Sequence, residues 1–143
     1  MAQLRRFVLA AAATLLLGCT HAQLVKSGDA MIRVERGTQG VVEGVVVYKD
    51  QTKKTCIDKN LETAEERAEC VAKALRAIEV SEDSVEVIKE ALRAYWTLYP
   101  VLEAKFQNGE RPTQEELAEL ASRAADVYAA FKSLVQGVKE AKQ

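Results

Sequence analysis

Two apolar seams limit what this chain can fold into. Val85, Ile88, Leu92, Tyr95, Tyr99, Leu102 and Phe106 recur at alternating intervals of three and four residues, and so do Leu117, Leu120, Ala124, Val127, Phe131, Leu134 and Val138. That spacing places every member on one face of an α-helix and scatters them over both faces of a strand. Asn108-Gly109 supplies a helix stop. Thr113 to Glu116, with Pro112 just ahead, forms a capping box that starts the next helix. The connection between the two seams is short, so they should lie antiparallel as an αα-hairpin. A period near 3.5 residues predicts left-handed packing at about +20°.

Upstream, Thr63-Ala64-Glu65-Glu66 is a second capping box. It should open a helix whose apolar face is Ala64, Ala68, Val71, Leu75 and Ile78. Ser81 can cap a separate helix after it, with Glu82 and Asp83 at the positive end of the dipole. The segment Met31 to Tyr48 is ambiguous. Val41, Val45 and Tyr48 fit one helical face, yet Val-rich runs between glycines also fit a hairpin. Two strands alone would be marginal, which favours the helix. At 48% hydrophobic and 29% charged, the 143-residue chain has the composition of one globular domain with a modest core. The expected fold is all-α, a small antiparallel bundle of three or four helices over residues 39–143.

Residues 1–18 read differently. Arg5-Arg6 is followed by an apolar run from Phe7 to Leu17, which as a helix would span only about 16 Å, too short to cross a bilayer. This is the pattern of a signal peptide. Its end, Leu16-Leu17-Gly18-Cys19, resembles the lipobox of bacterial lipoproteins. The resemblance implies that the Cys19 thiol receives a diacylglyceryl group, that a peptidase cuts before it, and that the new amine is acylated. Each buried CH₂ of such chains, palmitate for example, adds roughly 0.8 kcal/mol, so the anchor would be permanent. Thr20 rather than Asp after the lipidated Cys implies, by the same resemblance, the outer membrane of a Gram-negative envelope, facing the periplasm.

Residues 19–38 carry Gly28 and Gly37 without a clear period and read as a flexible lipidated tether, with a typical reach of roughly 24 Å. The two other cysteines, Cys56 and Cys70, form an even pair in an oxidising compartment, and a disulfide between them is the expected state. It would close a loop of about 15 residues and contribute about 3 kcal/mol. Two buried free thiols are the alternative. A metal site would need more ligands than these, and the only histidine, His21, lies in the tether.

Loss of Arg5 and Arg6 with the leader leaves 18 basic against the 21 acidic residues, without the clustered basic face that nucleic acid requires. The single histidine, the paired cysteines and the absence of a phosphate-cradling glycine motif argue against catalysis. Glu62, Glu65, Glu66 and Glu69 read as a solvated helix face. No enzyme activity, cofactor or metal is expected.

Ala91 to Leu102 is apolar nearly all round, with Pro100 inside it, where a kink is expected. Tyr95, Trp96, Leu98 and Tyr99 therefore have two readings. Either this helix is central in the bundle and Trp96 packs against an earlier helix, or these side chains line a groove for a partner's helix or strand. Gly40-Val-Val-Glu-Gly44 has the small-x-x-x-small spacing of close helix approach, although a turn or strand kink explains it as well. The seams serve an intramolecular hairpin at a lower ordering cost than self-association, and the oligomeric state stays open.

The expectation is a non-enzymatic, membrane-anchored lipoprotein that binds an envelope protein or aids envelope assembly. Secretin pilotins resemble it in size and helical architecture, but no pilotin motif is present. An inhibitory or exclusion lipoprotein, phage-encoded ones included, and a structural envelope lipoprotein are the alternatives.

Overall fold

The computed structural model describes residues 20–58 and 63–143, and the leader and Cys19 lie outside these. Among the described residues the fold has three helices: α1 (His21–Asp58), α2 (Ala64–Gln107) and α3 (Gln114–Ala141). There is no strand among the described residues. Both capping boxes are in place. The Thr63 hydroxyl accepts from the Glu66 amide and the Glu66 carboxylate accepts from the Thr63 amide, and Thr113 and Glu116 repeat the exchange. Between α2 and α3, Gly109 takes φ +76, a left-handed turn that a side chain would disfavour.

Two expectations give way. The segment read as a tether is helix from His21 onward, because it buries a seam of its own: Leu24 (1% exposed), Met31 (1%) and Val34 (6%), continued by Thr38 and Val45. Its seam is hard to see because small residues occupy it where bulky neighbours press in. A Cβ on Gly28 would lie 3.0 Å from the Tyr99 ring, and one on Gly37 would lie 3.1 Å from Phe131. Met31 to Tyr48 is helical throughout.

The second change is at Ser81, which caps nothing. α2 runs unbroken for 44 residues, about 66 Å, and the buried Ser81 hydroxyl donates to the Ile78 carbonyl inside the helix. With no restart, the seam keeps its phase back from Ile88 through Ser81 to Ala77, which is fully buried. Leu75 falls outside that phase and is 53% exposed. Pro100 sits on the solvent side and does not end the helix.

α2 runs antiparallel to both neighbours. His21 stacks on Phe106 at one end of the α1–α2 pair, and Cys56 joins Cys70 at the other. Against α3, Lys105 pairs with Glu116 near the turn, and the Arg123 guanidinium donates to the Ala94 carbonyl. Two clusters fill the interior. The one nearer the α2–α3 turn contains Leu24, Met31, Tyr95, Leu102, Leu117 and Val127, and the far one contains Val45, Ala77, Ile88, Leu134 and Val138. Leu92 and Phe131 pack against both. The Lys142 ammonium lies 4.9 Å over the Tyr48 ring, so α3 finishes level with Tyr48 while α1 and α2 continue as a two-helix tip.

Candidate interaction surface

Of the aromatic stretch on α2, Tyr95 is shut off from solvent (0%) and Tyr99 nearly so (9%). Both belong to the core, which corrects their assignment to a partner-binding groove. The central-helix reading describes them. α2 lies between α1 and α3, so the residues around its Tyr95 face meet a neighbour on two sides.

Trp96 and Leu98 are half-buried and pack on the same cluster. The Trp96 indole N–H donates to the Glu35 carboxylate of α1 over 2.8 Å. Its ring meets Tyr95 and Tyr99 edge-on at 5.0 and 5.2 Å, a geometry favoured by the ring quadrupoles. Burial pushes the Tyr95 hydroxyl up to about 12, opposed by its hydrogen bond with Ser27, and burial also raises Tyr99.

No protein-family model, curated protein or solved structure matches the chain.

The surface must then be read from its own geometry. Cys56 and Cys70 are joined as a disulfide across a sequence separation of 14. Gly28 to Cys56 along α1 and Tyr99 to Cys70 along α2 are equal lengths of helix to within one residue, so the bond closes the register that the core already sets. It staples the tip where α3 no longer covers the pair. A shallow groove there is bordered by Tyr48, Gln51, Thr52, Thr55, Glu69 and Lys73. These amide, hydroxyl and charged groups offer hydrogen bonds rather than an apolar socket.

Exposed apolar side chains lie elsewhere: Val25, Ile32, Val46 and Val47 on α1, Leu75, Val87 and Val101 on α2, and Tyr128 and Val135 on α3. Sequence spacing did not mark these as exposed, and it placed Leu75 on an apolar face, because their outward position depends on how the helices pack. Gly40 and Gly44 face open space, so they neither turn the chain nor admit a neighbour. Among the described residues, no helix is long and apolar enough to cross a membrane, and no three His, Cys, Asp or Glu side chains gather as metal ligands would.

Proposed function

We propose that this chain is a lipid-anchored envelope lipoprotein that acts as a non-enzymatic protein-binding or assembly module, held at the periplasmic face of the outer membrane. The observation that carries the reading is Leu16-Leu17-Gly18-Cys19 at the end of a short apolar run behind Arg5-Arg6. The Cys56–Cys70 disulfide supports it, since such bonds persist in oxidising compartments outside the cytoplasm. The mature part would be a rigid helical rod with polar grooves and scattered apolar side chains, suited to contacting another protein while its lipid holds it in place.

The test is metabolic labelling with palmitate together with membrane fractionation. Label should enter the wild-type chain, which should sediment with outer-membrane vesicles. Cys19→Ser should lose both the label and the sedimentation. A wild-type chain without label would overturn the reading.

A further inference from the structure

The distance between the anchor and the folded body is fixed by the chain. Thr20 alone separates Cys19 from the first residue of α1, so the two Cα atoms flanking it are at most about 7 Å apart. The helix is held from its first turn. The Thr20 amide donates to the Gln23 side chain over 2.9 Å, the Thr20 carbonyl accepts from the Gln23 and Leu24 amides, and Leu24 is buried against the bundle. Little slack remains between lipid and rod.

The end of the bundle beside the anchor is also the flush one. His21 stacks on Phe106, and the turn from α2 into α3 follows directly, with Gln107, Asn108, Glu110 and Arg111 exposed on it. These groups suit the hydrated headgroup layer rather than the acyl interior. Lying flat on a bilayer is disfavoured, because Asp29, Arg36, Glu43 and Asp50 are interleaved on the outer face of α1 with Val25, Ile32 and Val46. Seating that face among acyl chains would desolvate these charges.

We propose that the bundle stands end-on upon a phospholipid surface, its α2–α3 turn against the headgroups and its disulfide-stapled tip held away from the membrane by the 38-residue length of α1, about 57 Å. This rests on lipidation at Cys19. It assigns two ends to the molecule, one that meets lipid and one that meets whatever lies farther out.

The test is energy transfer in the full, lipidated chain reconstituted in vesicles of phosphatidylethanolamine and phosphatidylglycerol carrying a headgroup-labelled acceptor. The disulfide is kept intact, and a donor is attached at Asn108→Cys in one variant and at Arg67→Cys in another, both positions being exposed. Transfer should be several-fold stronger from position 108 than from position 67. A flexible Gly/Ser insert of about 15 residues between Cys19 and Thr20 should erase most of that contrast. Equal transfer from both positions in an acylated, vesicle-bound chain would overturn the end-on geometry alone. A chain that carries no acyl group and does not bind vesicles would overturn the lipoprotein reading and this proposal together.

Discussion

The hydroxyls of Ser27 and Tyr95 lie 2.7 Å apart and tie α1 to α2 at a point where Tyr95 is wholly buried. The pair places a polar contact inside an otherwise apolar cluster, and a contact of that kind fixes register where apolar packing alone is permissive. It also makes the interface sensitive to alkali.

Tyr95→Phe should cost about 1 kcal/mol at neutral pH through the lost hydrogen bond. Burial holds the folded-state pKa of Tyr95 at about 12, above the ordinary tyrosine value of 10. The neutral hydroxyl therefore stabilises the fold fully below pH 10, and that contribution is lost progressively as pH rises toward 12. Urea midpoints of wild type and Tyr95→Phe should converge over this window. A constant gap from pH 7 to pH 11.5 would contradict the burial of this hydroxyl.

The disulfide should matter most at the tip. Replacing Cys56 and Cys70 together with alanine should remove about 3 kcal/mol, the loop-closure value for this separation. Hydrogen exchange should report fast opening of residues 49–58 and 64–76, which lack cover from α3. Amides around Leu102 and Leu120 should slow only with global stability. Uniform loss of protection would mean that the tip is not a separate unit.

The glycines divide by what surrounds them. Gly40→Ala and Gly44→Ala meet open space and should each stabilise by about 0.5–1 kcal/mol, through helix propensity alone. Gly28→Ala would press on the Tyr99 ring, and Gly137→Ala would put a methyl 2.8 Å from Val80. Each should destabilise by about 1–3 kcal/mol. Thermal midpoints of the four variants should split into two pairs of opposite sign.

Trp96 offers a graded test. Trp96→Phe keeps a ring beside Tyr95 and Tyr99 and loses the bond to Glu35, so it should cost about 1 kcal/mol. Trp96→Ala removes the ring as well and should cost about 2 kcal/mol more. If both variants unfold at the wild-type urea midpoint, Trp96 does not brace α1 against α2.

The capped starts at Thr63 and Thr113 and the helical seams from Val85 to Phe106 and from Leu117 to Val138 were legible because their signals are local. A capping box is a contact between neighbours in the chain, and a three-four seam is a periodicity that any window of the sequence shows. The pairing of Cys56 with Cys70 followed from cysteine count and the oxidising compartment that the lipobox resemblance implies. Leu98 and Trp96 could be placed on the apolar stretch of α2, but whether Tyr95 and Tyr99 faced a partner or the core could not be read, since both uses demand the same residues.

What the sequence determined by itself, then, is the capped starts at Thr63 and Thr113, where the hairpin turns, and the apolar seams from Val85 to Phe106 and from Leu117 to Val138, since all of these depend on residues within a few turns of one another. Only the tertiary structure decided that residues 21–38 belong to the bundle, that α2 passes through Ser81 without a break, and that Leu75 is left outside. The physical reason is that Gly28, Gly37 and Thr38 interrupt the run of Leu24, Met31, Val34 and Val45, so the seam has only a weak hydrophobic signature of its own. Its burial is created by Tyr99 and Phe131, which approach it from helices far away in the chain.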